Sequence, residues 1–187
     1  MTRTVIVGDG PAGLSAALLL AKNGHDTLVH GGDETLVHYA ELHNYLGAPD
    51  VAGPQFQRTA RGQAEEAGAR LLDTEVTSIE VADDGRFRVH TAHDSTDADY
   101  VILAGGRAAA TLAAGLGATV HDGAVATDSD NATSVDRLYA AGHVVRPERS
   151  QAIISAGDGA KAALDILSRE AGRDVHDWDS PSDSPSD

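Results

Sequence analysis

Cysteine is absent from the 187-residue chain, and lysine occurs only twice, at Lys22 and Lys161. Without cysteine, the chain can form no disulfide, no thiolate metal site and no redox-active thiol pair. No apolar run approaches the roughly 20 residues that span a bilayer, and the N-terminus lacks the pattern of a basic and apolar leader. We therefore expect a cytoplasmic protein with no membrane partner.

The charge of the chain is strongly unbalanced, with 29 acidic residues, 14 basic residues and a net charge of −15 at pH 7. Such a charge argues against electrostatic binding to nucleic acid or to an anionic membrane. It suits a protein kept in concentrated salt, where the Debye length falls to about 3 Å and self-repulsion is screened. A generic acidic surface is the simpler explanation, but the low lysine content favours a halophilic cytosol.

The N-terminus carries the most informative motif of the sequence. An apolar, β-branched run at residues 5–7 predicts a strand covered on both faces. Gly8, Gly10 and Gly13 then match G-x-G-x-x-G, in which the glycines permit a tight turn, close approach of a pyrophosphate and helix–strand packing. An Ala- and Leu-rich stretch follows and predicts a helix that ends at Gly24. The motif therefore predicts a dinucleotide at the start of this helix.

The remaining pattern alternates strands with helices, which is typical of an α/β fold. Further strands are predicted at residues 26–30, 70–73, 100–103 and 138–142, and helices at residues 55–67 and 151–170. Two alternating stretches joined at Asp83-Asp84-Gly85 predict an antiparallel hairpin. Residues 107–135 are rich in Ala, Gly and Asp, and their only strand signals are the short stretches 119–120 and 124–126. We expect a Rossmann-like, three-layer α/β domain with a central parallel sheet and a small antiparallel hairpin insertion.

Apolar spacing also predicts which face of each later helix is buried. The predicted inner faces are Phe56, Ala60, Gln63 and Ala67 in the first of these helices, and Ile153, Ala156, Ala160, Ala163, Leu164 and Leu167 in the second.

His30 stands at the end of the second strand, where the general fingerprint has an acid about 20 residues past the glycines. A histidine can bond a ribose hydroxyl and, when protonated, accommodate a 2′-phosphate. Asp33 or Glu34 is close enough in sequence to take that role, and His30 is equally compatible with a solvent-facing strand end.

Several motifs recur in order along the chain: the N-terminal glycine motif, Asn44-Tyr45-Leu46-Gly47, Gly53-Pro54, residues 101–106, residues 133–144 and residues 150–159. In this order they resemble the FAD-binding part of thioredoxin reductases, within the pyridine nucleotide-disulfide oxidoreductase superfamily. The resemblance implies one FAD domain at residues 1–179, in which two FAD segments, about 1–106 and 120–170, are joined directly. The family's NAD(P)H domain with its Cys-x-x-Cys pair is then missing between them, and residues 180–187 form a disordered acidic tail.

The same resemblance implies a set of cofactor-binding residues. They are Gly8, Gly10, Pro11, Ala12, Gly13, His30, Gly31, Asn44, Val76, Ala104, Gly105, Gly142, His143, Gln151, Ala152 and Ile153. In this set His143, like His30, stands where the family has an acid. No catalytic residue is assigned, although His43 and His143 are candidates by family position. The histidines lack metal-ligand spacing, so no metal is expected.

The leading hypothesis is a minimal FAD-binding flavoprotein with oxidoreductase activity, reduced by diffusing NAD(P)H or by a redox partner protein. Dithiol–disulfide exchange requires a thiolate, so the chain is not expected to be a thioredoxin reductase on its own. One alternative is a non-enzymatic relative with weak or lost FAD binding, which acts as an interaction or regulatory module, for instance as a homodimer. Another is a lone Rossmann unit that binds NAD(P)H, with His30 near a 2′-phosphate.

Overall fold

The computed structural model of the chain describes residues 1–179, so the disordered tail expected at residues 180–187 lies outside the described residues. Its centre is a sheet of five parallel strands in the order β12-β9-β1-β2-β5. These strands are β1 (Arg3–Val7), β2 (Asp26–Gly31), β5 (Arg70–Asp73), β9 (Tyr100–Leu103) and β12 (Leu138–Ala140). The apolar runs of the central strands are buried on both faces, as the sequence predicts.

Four helices and a second sheet cover the two faces of this central sheet. The helices are α1 (Pro11–Lys22), α2 (Gly53–Glu66), α3 (Arg107–Gly115) and α4 (Ala152–Ala171). One core cluster joins α1, α2 and α4 to the sheet, and the other joins α3 and an antiparallel sheet to its opposite face. The predicted three-layer α/β architecture is therefore confirmed.

The antiparallel layer consists of β6 (Val76–Val81), β7 (Phe87–Thr91) and β8 (Ser95–Ala98). The predicted hairpin joins β6 to β7 and turns at Gly85, whose φ is +78°. The third strand, β8, is polar and was not predicted. Two short antiparallel pairs complete the strands: β3 (Glu41–Leu42) with β4 (Val51–Ala52), and β10 (Val120–His121) with β11 (Ala124–Val125).

Helix α3 lies in the stretch for which the sequence predicted only strands. Its sequence, RAAATLAAG, has the helix propensity of alanine but few large apolar residues. Ala109, Ala110 and Ala113 form its buried face, so this helix packs through small side chains, which give a weak apolar pattern in the sequence.

The predicted inner faces of α2 and α4 are partly wrong. In α2, Gln63 is exposed, and the buried positions are Gly53, Gln57 and Ala64. In α4, Ile153 is exposed, while Ala163 and Leu167 are buried as predicted. The cause in α4 is a close crossing with α1. The buried face there is made of small or polar residues that let the backbones approach, namely Ser155, Asp158, Gly159 and Ala162.

Within residues 1–179, no helix combines the length and the apolar character needed to cross a membrane.

Candidate functional site

A cleft of about 770 Å³ opens at the carboxyl ends of β1, β2 and β9. In open α/β sheets this edge is where ligands bind. Its walls are the glycine turn before α1, the end of β2, the 3₁₀ turn Leu36–Tyr39, the end of β9 and the start of α4. Of the predicted site residues, the lining includes Gly8, Gly10, Pro11, Ala12, Gly31, Asn44, Ala104, Gly105, His143, Gln151 and Ala152.

Two glycines of the N-terminal motif are required by the fold itself. Gly8 has a φ of +111°, and a Cβ there would lie 2.8 Å from the backbone of Ala104 and Gly105. A Cβ on Gly13 would lie 1.9 Å from the carbonyl oxygen of Gly8. The first and third glycines thus have the predicted roles of a tight turn and close helix–strand packing.

The N-terminus of α1 faces this cleft without a side-chain cap. Its N-cap is Gly10, the next residue is Pro11, and within residues 1–179 no side-chain cap hydrogen bond is found at this end of the helix. Uncapped amides and the helix dipole together favour an anion. This end of the helix therefore has the features of a phosphate site.

The N-terminus of α4 reaches the same cleft from the other side. Its N-cap Gln151 also provides no side-chain cap, and the Oε1 of Gln151 accepts a hydrogen bond from Asn44 Nδ2 at 2.7 Å. These two residues, 107 positions apart in sequence, were both predicted to bind the cofactor. Their hydrogen bond joins the loop after β3 to the start of α4 at the cleft wall.

Five predicted site residues do not form the wall of the cleft: Gly13, His30, Val76, Gly142 and Ile153. Gly13 and Gly142 lie beneath it, where a Cβ on Gly142 would come within 2.9 Å of Ala12 Cβ. Val76, the first residue of β6, is buried in the core, and Ile153, in the first turn of α4, is 38% exposed. Contact between these residues and a ligand remains a prediction.

His30 is neither solvent-facing nor part of the cleft wall. It is buried, its Nδ1 pairs with Thr74 Oγ1 at 2.8 Å, and its Nε2 has no hydrogen-bond partner among the described residues. Burial lowers the pKa of His30 from its ordinary value, which favours the neutral ring.

The two histidines that were candidates by family position occupy different environments. His143 lines the cleft directly after Gly142, and its Nδ1 is buried without a partner in the described part of the chain. His43 is exposed and lies 2.8 Å from Asp50 through its Nδ1, outside the cleft lining. Only His143 is therefore placed to meet a ligand in this cleft. In residues 1–179 no group of three or more metal-ligating side chains is found.

Sequence reasoning missed several cleft residues. They include Asp9, Gly32, Thr35, Leu36, Val37, Tyr39, Ala40, Gly106, Pro147, Ser150 and Ser155. Most of them belong to the loop after β2, which has no periodic pattern. Asp9 was within the recognised motif, but its position between the first two glycines is unspecified in the pattern.

The parallel sheet, the glycine turn and the cleft at the strand ends together define an α/β dinucleotide-binding domain. A family profile described as "Pyridine nucleotide-disulphide oxidoreductase" matches residues 41–159. Because this match covers more than half of the chain, the chain belongs to that family.

Curated relatives confirm the resemblance predicted from the motifs. The thioredoxin reductase of Streptomyces coelicolor is 33% identical over 107 residues, which cover 54% of this chain and 33% of the relative. The thioredoxin reductase of Spironucleus barkhanus is 38% identical over 79 residues, which cover 41% of this chain and 26% of the relative. The chain thus spans about a third or less of the length of these relatives.

Solved structures share the fold over nearly the whole chain. A thioredoxin reductase from Gloeobacter violaceus aligns with a TM-score of 0.85 at 17% identity, covering 95% of this chain and 99% of that chain. The atypical thioredoxin reductase TRi from Desulfovibrio vulgaris Hildenborough gives a TM-score of 0.83 at 21% identity, covering 92% and 99%. At these identities the likeness establishes the fold.

Proposed function

We propose that the chain is a minimal FAD-binding flavoprotein, a thioredoxin reductase-like oxidoreductase with neither an NAD(P)H domain of its own nor disulfide chemistry. Family membership supports FAD as the cofactor, and the cleft with two uncapped helix N-termini supports a ligand that carries phosphate. The proposal does not include thioredoxin reduction by this chain alone, because dithiol exchange needs a thiolate and the chain has no cysteine.

The observation that carries the proposal is the room beside Gly10. A Cβ there would meet only the Thr35 side chain, at 3.8 Å, which is ordinary van der Waals contact. Packing of the chain on itself therefore requires Gly8 and Gly13 but not Gly10. A glycine at this N-cap leaves the α1 amides accessible to a diphosphate, which is the role that the fingerprint gives to the second glycine.

The residues of the cleft suit the two ends of FAD. The α1 amides would hold the diphosphate, and the Asn44–Gln151 pair with the start of α4 would border the isoalloxazine. When bound, FAD supplies the hydride- and electron-accepting chemistry. The positive end of the α4 dipole would stabilise negative charge in that part of the cleft. His143 offers a ring nitrogen where the resemblance places an acid.

Three exposed arginines near the cleft support a diffusing, anionic reductant such as NAD(P)H. Arg107 follows Gly106, and Arg146 and Arg149 lie on either side of Pro147, while Gly106 and Pro147 themselves line the cleft. Most cations of this acidic chain are neutralised by ion pairs, for example Arg61, Arg88 and Arg169. Arg107, Arg146 and Arg149 form none within residues 1–179. They leave positive charge beside the cleft that would attract nucleotide phosphates.

The proposal is tested by titrating wild type and Gly10→Ala with FAD in high salt and following flavin fluorescence. We expect saturable binding to wild type and a loss of at least about tenfold in affinity for Gly10→Ala with an unchanged melting temperature. Gly62→Ala, whose Cβ would meet nothing within 4 Å and which lies on α2, is the matched control and should bind FAD like wild type.

Thermal unfolding with added FAD or NADPH discriminates between the remaining functions. Stabilisation by NADPH and not by FAD would favour a lone nicotinamide dinucleotide site. A chain that neither nucleotide stabilises would favour a non-enzymatic interaction module. The homodimer, the redox partner protein and a halophilic, cytoplasmic setting are further proposals, for which sedimentation and thermal stability across salt concentrations are the first measurements.

A further inference from the structure

Asp9 is a buried carboxylate within the cleft that the recognised motif does not specify. It stands between Gly8 and Gly10, is only 2% exposed, and still contributes to the cleft lining. Burial of a carboxylate is costly unless donors hold it. Its position beside the α1 N-terminus makes it a candidate for ligand contact.

Three donors fix the orientation of Asp9. Its Oδ2 accepts a hydrogen bond from the backbone N–H of Asp33 at 3.0 Å and an ion-paired hydrogen bond from Arg61. The Nε2 of the buried Gln57 donates to the backbone carbonyl of Asp9 at 2.6 Å. None of these three contacts uses the α1 amides, so the carboxylate is held towards β2 and leaves the helix N-terminus uncapped.

The carboxylate of Asp9 lies at the carboxyl end of β2. A Cβ built on Gly31 would lie 2.4 Å from both Cγ and Oδ1 of Asp9. The Asp9 side chain therefore occupies the space in which a side chain at position 31 would begin. The general fingerprint places its ribose-binding acid at the end of this strand. His30, the residue of β2 at that place, is instead buried against Thr74 and absent from the cleft wall.

We propose that Asp9 supplies the carboxylate that accepts hydrogen bonds from the adenosine ribose hydroxyls. The acid comes from the glycine turn because the carboxyl end of β2 has no acidic residue. This inference rests on the proposed function, since it concerns how the same cleft holds its nucleotide. It also predicts a specificity: a fixed carboxylate repels a 2′-phosphate, so the site accepts a nucleotide with free ribose hydroxyls.

The test is a cycle of two proteins and two ligands, with ADP and 2′,3′-dideoxy-ADP titrated calorimetrically into wild type and Asp9→Asn. We expect wild type to bind the dideoxy ligand about tenfold or more weakly than ADP, the scale of a lost charged hydrogen bond. Asp9→Asn should bind ADP weakly and discriminate little between the two ligands. Equal discrimination by wild type and Asp9→Asn would overturn the inference.

A matched control and a second measurement keep the result interpretable. Asp73 shares Arg61 with Asp9 but is 74% exposed and lies outside the cleft lining, so Asp73→Asn should retain full discrimination. If Asp9→Asn does not fold, wild type is titrated with ADP, 2′,3′-dideoxy-ADP and 2′-phosphorylated ADP. Equal affinity of wild type for the three ligands contradicts the inference. Absence of binding by both FAD and ADP overturns the proposed function as well, whereas binding without discrimination overturns this inference alone.

Discussion

Asp9 in the glycine turn and Arg61 on α2 form an ion pair in which the carboxylate side chain is 3% exposed and the guanidinium side chain 19% exposed. Arg61 also donates to Asp73 at 2.9 Å. Burial lowers the pKa of Arg61, but its bonds and charge interactions with Asp73 and Asp9 outweigh this and raise the pKa overall. The pair therefore connects the glycine turn to α2 through a guanidinium that stays protonated.

Removing Arg61 should destabilise the fold strongly. Arg61→Met leaves Asp9 buried without its charge partner, which costs about 3–5 kcal/mol when such a pair is broken from one side. Asp73→Asn removes only the exposed partner and should cost less than about 1 kcal/mol. Urea unfolding of both variants measures the loss in the free energy of unfolding. Equal losses would contradict a larger stabilising contribution from the buried Asp9–Arg61 pair.

The crossing of α1 and α4 should tolerate alanine at one glycine of α4 and not at another. A Cβ on Gly159 would lie 1.9 Å from the carbonyl oxygen of Ala12, whereas a Cβ on Gly157 would meet nothing within 4 Å. Gly159→Ala should destabilise by about 1–3 kcal/mol or more because the helices must separate. Gly157→Ala should stabilise by about 0.5–1 kcal/mol through helix propensity. Thermal unfolding compares the two, and similar effects would contradict the close crossing.

Acidification should weaken the fold through one buried and one half-buried histidine before the carboxylates respond. Burial lowers the pKa of His30 and of His25, so both bind their protons more readily in the unfolded chain. The free energy of unfolding should therefore fall as pH drops below about 6.5, by at most about 1.4 kcal/mol per pH unit for each histidine. Carboxylates with a lowered pKa, such as Asp26 and Glu170, also stabilise the fold, and this contribution to the free energy of unfolding is lost only at lower pH.

Chemical denaturation between pH 7 and pH 5 measures this slope. His30→Gln should flatten it, whereas His176→Gln, which changes an exposed histidine, should leave it unchanged. A slope that is the same in all three proteins would contradict the assignment to His30.

Replacing the three exposed arginines beside the cleft, Arg107, Arg146 and Arg149, should slow reduction of the bound flavin by a diffusing anion. In the flavin-loaded protein at low salt, the triple variant Arg107→Gln, Arg146→Gln, Arg149→Gln should react with NADPH about tenfold or more slowly, because electrostatic steering scales with local charge. Its dependence on salt should also become shallower. A matched control is Arg58→Gln with Arg173→Gln, which changes two cations that form no ion pair in the described part of the chain and do not line the cleft. Equal rates in the triple variant and this control would exclude the arginines as the steering site.

The sequence predicted the parts of the fold that depend on backbone geometry and on continuous apolar strands. Gly8 and Gly13 have the expected roles because a Cβ at either position collides with the backbone. Strands β1, β9 and β12 were predictable because they are buried and consist of short apolar runs. The hairpin at Gly85 followed from its Asp-Gly turn.

The features that sequence reasoning missed depend on contacts between distant segments. The face of α4 was misread because its close approach to α1 selects small residues such as Gly159 over Ile153. Asp9 was overlooked because its partners, Asp33 and Arg61, lie 24 and 52 positions away in the chain. Spacing within one element cannot reveal such a relationship.

The most direct test of this account is the flavin content of the chain purified in high salt. Its visible spectrum is recorded before denaturation, and the released cofactor is then identified and quantified by chromatography. The account predicts one FAD per chain, or a colourless protein that takes up one FAD on addition and shows the shifted absorbance bands of bound flavin. Protein that neither carries FAD nor binds it at saturating concentration would contradict the account.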